Sequence, residues 1–403
     1  VDMGGAGTER ADVAQGAEGA DVAEGTDVAE GTDAADSTDA AEGTDVATAR
    51  TLTFVVGTGR CGSTALSRVL RLHPDVLSVS ELIASVEPGA LPEQPLTGKE
   101  FWQLLSTGRP FADRMVREGT PLPEHLYPGV PGGRFSAAGG GIPALCLTTL
   151  PHLTDDPDAL YDALEPVLAA RDRTPVAEHY RALFDELARW AGGRSAVVER
   201  SGFSLGYVPR LRAAFPEARF VHLHRYGPDC ALSMSRHAGF RLLRTAAQAE
   251  AGSPEQELAV RLGELTADDS FDLRGVLERP VPVERFGELW SGMVADGMER
   301  LAKVPRALLA SLSYEDLLDA PERELTALAR HIGVEPRTDW LRAAAGLLDG
   351  ARRGAAEALP ADELARLRES CTPGMRALGR EGHGDRREGH GDRRDRHDGP
   401  DGQ

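Results

Sequence analysis

The sequence predicts an α/β protein, a parallel sheet flanked by helices with a ligand at the carboxyl ends of its strands. Three observations carry this. Short apolar, β-branched runs alternate with longer stretches whose apolar residues recur at helical spacing. The first run, 51–56, passes through Gly57-Thr-Gly-Arg-Cys-Gly62 directly into a helical pattern. A strand, a glycine-rich turn and a helix N-terminus form an anion cradle, because backbone N–H groups converge where the helix dipole favours negative charge. Finally, Arg60, Arg200 and Arg225 fall at or just past predicted strand ends, where open parallel sheets bind their ligands.

Taken in order, the first helix is expected over 63–72, with Ala65, Leu66, Val69 and Leu70 on its apolar face, stopping before His73-Pro74. A short strand at 76–79 delivers Ser80 and Glu81 beyond its end. Residues 88–150 are rich in Gly and Pro and do not read as core sheet; they are expected to form a helical and irregular insertion of the kind that builds an acceptor pocket or a lid. Helices follow at 156–170 and 176–191, then a strand at 195–199 and a helix at 210–215. A strand at 219–224 ends at Arg225, and Tyr226-Gly-Pro-Asp229 turns into a helix through Ser233. The amphipathic stretch 284–302, a strand at 307–312 and helices at 321–332, 339–348 and 361–369 complete the domain.

The glycine-rich stretch has nearly the spacing of the nucleotide P-loop, with Gly57 and Gly62 in place, but Ser63 stands where the P-loop has Lys, followed by Thr64. The cation sits inside the loop instead, at Arg60. A C-x5-R phosphatase loop fails, since Ser67 occupies the Arg position, and no G-x-S-x-G elbow is present. Arg60-x-Gly-Ser-Thr64 resembles the 5′-phosphosulfate loop of the PAPS-dependent sulfotransferases, and on this stretch alone that reading and a degenerate P-loop stand equal.

The two ends differ from the middle. Residues 1–50 hold a six-residue repeat (Asp21-Val-Ala-Glu-Gly-Thr26 and its copies) and thirteen acidic side chains against two arginines, a net −11 of the chain's −19. Without aromatic or bulky apolar mass, this arm cannot offset its ordering entropy. The tail 380–403 repeats Arg-Glu-Gly-His-Gly-Asp-Arg. Both are expected to be disordered, leaving one domain over 51–379. That domain is only mildly acidic, so no nucleic-acid partner is expected. Cys61, Cys146, Cys230 and Cys371 form no C-x2-C pair, and no run of 18 apolar residues occurs. These features predict a soluble, cytoplasmic protein without a membrane span or a metal site. His383, His390 and His397 read as a solvated repeat. Oligomeric state is not legible.

The second motif is Arg225-Tyr-Gly-Pro-Asp-Cys-Ala-Leu-Ser233, in which an Arg at a strand end and a Ser one turn into the next helix can converge on one phosphate. The bland alternative is an Arg capping the sheet and a Ser bonded back to its own helix. Here the chain resembles the PAPS-dependent sulfotransferases, which carry R-[DN]-x-x-D-x-x-x-S after a strand; Arg225, Asp229 and Ser233 match, while Tyr226 replaces the Asp or Asn. It is most similar to the protein-tyrosine sulfotransferases and the bacterial group like them, which also place Arg in the loop, then His-Pro, then a Glu, here Arg60, His73-Pro74 and Glu81. Their Lys-Asp-Pro-Phe-x-Leu appears as Arg200-Ser-Gly-Phe-Ser-Leu205, and their Tyr-Glu-x-Leu as Tyr314-Glu-Asp-Leu317; Arg352-Arg-Gly354 is a loose echo of a late Arg-Lys-Gly. The resemblance covers 51–83 and 197–332, and residues 88–175, which would choose the acceptor, match nothing.

The resemblance implies a P-loop-like fold and in-line sulfuryl transfer from PAPS (3′-phosphoadenosine 5′-phosphosulfate) to a hydroxyl or phenol, on a small-molecule acceptor rather than a protein, without a metal. Gly59, Arg60, Cys61 and Gly62 through their amides, with Ser63 and Thr64, would hold the 5′-phosphate. Arg225 and Ser233 would hold the 3′-phosphate, with Tyr314 near the donor. Arg60 and Arg200 would meet charge on the moving group, and Glu81 would be the base. Bland alternatives exist: Glu81 answering a helix dipole, Arg200 in a surface ion pair, His222 and His224 as core. His237 is a lesser donor-site candidate, and His224 is the first histidine to replace Glu81 as base. The rival functions are a small-molecule kinase, disfavoured by the missing Lys and acidic Mg²⁺ ligand, and a nucleotide-binding module without turnover.

Because neither end can contribute core, deleting residues 1–48 and 381–403 should leave the melting temperature and nucleotide binding unchanged. A large fall in thermal stability would show that one end belongs to the fold.

Overall fold

A computed structural model describes residues 50–249, 271–351 and 353–380. The acidic arm and the His-containing tail lie outside them. Five strands, β1 (Thr51–Val56), β2 (Val76–Ser80), β3 (Ala196–Arg200), β4 (Arg219–His224) and β5 (Leu309–Ser313), form one sheet in the order β2-β3-β1-β4-β5. Every pairing is parallel, with Phe54 of β1 opposite Glu199 of β3 and Phe220 of β4. Parallel neighbours need crossovers, and helices supply them on both faces. With the glycine-rich loop between β1 and the helix Ser63–Arg71, this is the P-loop-like α/β architecture.

Side-chain alternation along the strands sends apolar groups to both faces. Leu52, Phe54 and Val56 of β1 join Val79, Val197 and Phe220 against the helices Gly98–Ser106 and Val176–Trp190. Val55, Val198, Val221 and Leu223 face the helices Ser63–Arg71 and Pro321–Ile332. Phe54 is fully buried, its ring 5.3 Å from Phe215 and 5.8 Å from Phe220. Burial of rings this size is worth several kcal/mol each. His73 serves this packing: it is fully buried, edge-on to Trp340 at 4.7 Å, with Nε2 2.9 Å from the carbonyl of Glu335. The Trp340 indole N–H in turn bonds the Val69 carbonyl at 2.9 Å, closing the end of the first helix.

As expected, the region 88–150 contributes no strand to the sheet; it is helical in part and irregular over 118–143, apart from one 3₁₀ turn at Tyr127–Gly129. It folds the helices Gly98–Ser106 and Pro110–Arg117 and buries Phe101, Leu105, Met115 and Leu145 completely. Its Gly and Pro conceal these helices for local reasons. Pro110 sits at the first helical position, where a missing N–H costs nothing. A Cβ on Gly98 would meet the Leu168 carbonyl oxygen at 2.2 Å, so this glycine marks close packing rather than a turn. The last helix, expected to end at 369, runs Ala361–Ala377 with Pro373 inside it, held by packing of Leu367, Cys371 and Met375 against the helix Glu284–Leu301. No described helix is long and apolar enough to cross a membrane.

Candidate active site

Because all five strands run the same way, their carboxyl ends share one rim. The loop 57–62 comes after β1, Glu81 after β2, Arg200 ends β3, Arg225 comes after β4 and Tyr314 after β5. The loop is pressed into place by its neighbours. A Cβ on Gly57 would lie 2.7 Å from the Leu223 carbonyl oxygen. Gly62 has φ +97°, and a Cβ there would fall 2.2 Å from the Tyr314 ring. Any side chain at Gly62 would therefore meet both strain and collision. Cys61 turns its side chain into the core, where burial pushes the thiol above its usual range, so only its backbone faces the cradle.

Two cavities open on this rim. The smaller, about 220 Å³, is bounded by Gly62, Ser63, Thr64, Arg225, Ser233 and Tyr314, with Arg60 and Arg68 beside them. Its three guanidinium groups and a helix N-terminus suit an anion. Arg225 is buried, donates to the Asp229 carboxylate at 3.2 Å and lies 5.1 Å from the centre of the Tyr314 ring. Asp229 also accepts from the backbone N–H of Gly354 (2.7 Å) and Ala356 (2.9 Å). The loose echo at Gly354 thus abuts the Arg225 motif in space.

The larger cavity, about 350 Å³, is walled by Phe111, Leu122, Phe203, Phe240 and Leu243, with Glu81, Glu124 and His237 among its polar groups. Residues of the 88–150 insertion supply much of this wall. Arg60 and Ser63 line both cavities and form their common boundary.

Glu81 lies at the floor, 8% exposed. Its Oε1 accepts from Arg200 Nη1 at 2.8 Å and its Oε2 from the Gly202 N–H at 2.8 Å. Burial raises its pKa above the ordinary carboxylate value against the opposing pull of Arg200 and the Gly202 N–H. Glu81 is the residue before a short helix, Leu82–Val86, and its side chain makes no capping bond there, its carboxylate oxygens being taken by Arg200 and the Gly202 N–H. Arg200 is 5% exposed, which overturns the surface ion-pair reading, and its Nε is buried without a hydrogen-bond partner among the described residues. It borders a narrow cleft with Gly57, Gly59 and Ser63.

The described non-glycine residues with left-handed backbone are Arg60 (φ 59°), Glu81 (φ 56°) and Phe203 (φ 59°). All three line the larger cavity. Such conformations cost about 1–3 kcal/mol each and persist where surrounding structure over-determines them, most often at functional sites.

The histidines are redistributed. His222 and His224 are core, as expected; burial holds His224 down to about 4, and its Nε2 lies 3.1 Å from Ser311 Oγ. His224 lines neither cavity and is withdrawn as an alternative base. His237 belongs to the larger cavity rather than the smaller, with Nε2 3.0 Å from Glu124 Oε2. Glu124 was missed because nothing in Pro121-Leu-Pro-Glu-His125 repeats, pairs or matches a motif. Arg68 was missed as an ordinary basic residue of a helix. Among the described residues, no three His, Cys, Asp or Glu converge to hold a metal ion.

No family model matches this chain, and no curated protein matches it. Similar solved structures include the sulfotransferase domain of the curacin biosynthetic pathway, with 15% identity, TM-score 0.43, and coverage of 80% of this chain and 98% of that one. A sulfotransferase from Alicyclobacillus acidocaldarius shares 18% identity at TM-score 0.38, covering 82% and 94%. Sulfotransferase STF1 from Mycobacterium tuberculosis H37Rv shares 21% at TM-score 0.36, covering 80% and 76%. All three are sulfotransferases.

A further buried carboxyl, Glu199, tests the electrostatics of this rim. It accepts from Ser201 Oγ at 2.6 Å and from the Ile83 N–H at 3.3 Å, and burial pushes it up to about 7. Between the ordinary value of 4.5 and about 7, the folded chain keeps a proton that the unfolded chain has lost. Its contribution to stability therefore falls as pH rises through that window. Glu199→Gln removes the ionisation, so the variant's stability relative to the parent should rise from pH 5 to pH 8, by at most about 3 kcal/mol. Denaturant melts at both pH values would show it; a difference independent of pH would refute the shift.

Proposed function

We propose that this protein is a sulfotransferase that moves a sulfuryl group from PAPS to the hydroxyl of a small, uncharged acceptor. The observation that carries this is the pair of cavities meeting at Arg60 and Ser63, one cationic on a glycine-rich loop, the other apolar with a buried carboxylate. A transfer enzyme needs donor and acceptor held on either side of the migrating group, and that boundary supplies the position.

When bound, PAPS supplies the activated sulfuryl group. The amides of Gly59 to Gly62, with Ser63 and Thr64, would hold its 5′-phosphate, and Arg225 and Ser233 its 3′-phosphate. The contact of Gly354 with Asp229 would brace the latter. Arg60 and Arg200 would meet the charge that develops as the acceptor O–S bond forms and the bond to the bridging phosphate oxygen breaks. Glu81 would take the acceptor's proton. Burial, which raises its pKa above the ordinary carboxylate value, makes it a stronger base than a solvated carboxylate, and general-base catalysis is worth about 10²–10⁴-fold in rate. Acidic side chains of the larger cavity are compensated: Glu81 by Arg200, Glu124 by Arg60 and His237, Glu87 by Arg210 at 2.9 Å. That balance, behind aromatic and aliphatic walls, favours an uncharged acceptor. The kinase alternative lacks a lysine at the loop, and the whole chain has only Lys99 and Lys303.

If Arg225 and Ser233 read a 3′-phosphate, adenosine 3′,5′-bisphosphate (PAP) should bind much more tightly than AMP in calorimetry, and Arg225→Ala should erase most of the difference. Equal affinity for the two nucleotides would remove the assignment.

The base is tested separately. With any acceptor found by screening against labelled PAPS, Glu81→Gln should lower single-turnover transfer by about 10²-fold or more while PAP still binds. The melting temperature should also fall, because the buried Arg200 loses its counter-charge. Near-parental turnover in a folded variant would disqualify Glu81.

A further inference from the structure

A hydrogen-bonded chain of four side chains crosses from one cavity to the other. Ser233 Oγ, on the smaller cavity, accepts from Arg60 Nε at 3.2 Å. Arg60 Nη1 donates to Glu124 Oε1 at 3.1 Å, and Glu124 Oε2 lies 3.0 Å from His237 Nε2 on the larger cavity. Arg60 is thereby gripped from both sides, while its Nη2 donates to no described residue.

Glu124 is itself firmly held. The Thr148 hydroxyl donates to its backbone carbonyl at 2.6 Å, and the neighbouring Leu126 N–H bonds the Leu147 carbonyl at 2.9 Å. His237 is 8% exposed and its ring packs 5.4 Å from Phe240. Burial would raise the Glu124 carboxyl, but the bond and charge of His237, with Arg60, outweigh it and hold it down to about 2. It is a fixed negative charge in the working pH range. Arg60 needs such a partner: its left-handed backbone aims the side chain along the boundary, and a long, flexible guanidinium without a second anchor would sample many rotamers.

We propose that Glu124 is a positioning residue, anchored by His237, that holds the Arg60 guanidinium across the boundary so that its uncommitted N–H groups face the group being transferred. This rests on the sulfotransferase reading. Glu124 does not line the smaller cavity and bonds the glycine-rich loop at Arg60, so its effect on nucleotide binding should pass through Arg60, although its charge also bears on Glu81 across the larger cavity.

The test needs no acceptor. Dissociation constants for PAP, which lacks the sulfuryl group, and for PAPS are measured by calorimetry on the full chain for the parent, Glu124→Ala, Glu124→Gln, Arg60→Ala and the Arg60→Ala/Glu124→Ala double variant. Glu124→Ala should leave PAP binding within about threefold and shift the ratio of the two constants by about tenfold against PAPS, the scale of one charge-assisted hydrogen bond. Glu124→Gln, whose amide oxygen can still accept from Arg60, should recover part of that shift. In the Arg60→Ala background, Glu124→Ala should change the ratio no further.

Parallel weakening of PAP and PAPS with a lower melting temperature would mean that Glu124 is merely structural and would overturn the proposal. So would an unmoved ratio, or a shift that survives in the Arg60→Ala background. A parent that binds neither nucleotide would defeat the sulfotransferase reading and this inference together, an outcome visible before any variant is made.

Discussion

The site depends on β1 being paired in parallel on both sides, to β3 and to β4. In an antiparallel sheet, successive strand ends alternate between two edges, and residues just past β1, β3 and β4 could not share a rim. With every pairing parallel, the glycine-rich loop, Arg200 and Arg225 emerge side by side, and the outer strands bring Glu81 and Tyr314 to the same edge. The glycines register that crowding. Gly57 has no room because β4 ends against it, and Gly62 has none because Tyr314 does.

Placing charge on that rim has a thermodynamic cost, and the structure shows how it is met. Glu81 and Arg200 are nearly excluded from water, where an isolated charge would be penalised by several kcal/mol. Each satisfies the other, and the Gly202 N–H takes the second carboxylate oxygen. Asp229 does the same for Arg225 while joining it to the segment at Gly354. These pairs hold the four side chains in fixed directions rather than adding much net stability, since replacing such pairs by apolar residues is often neutral or stabilising.

The backbone carries a further cost at Arg60, Glu81 and Phe203, the described non-glycine residues with positive φ. They come from three separate loops yet converge on one cavity. Strain confined to one cavity is hard to ascribe to folding alone, because relaxed conformations are available to each loop in isolation.

What the sequence determined by itself was local in its physics. Alternation of apolar runs and helical periodicity made the five strands and several of the helices between them legible, because these patterns repeat within a short window of chain, whereas the helices Gly98–Ser106 and Pro110–Arg117 were not assigned. The glycine-rich loop and the Arg225–Ser233 spacing were legible because each lies within a few residues on one strand–turn–helix unit. Tertiary structure decided the rest. Pairing of Glu81 with Arg200, 119 residues away, comes from β2 lying beside β3. Glu124 reaches Arg60 across 64 residues from the irregular segment that follows the helix Pro110–Arg117. Its carboxylate and the second cavity depend on which surfaces meet. That is settled by long-range packing, for which no pattern within a short window of residues carries a signal.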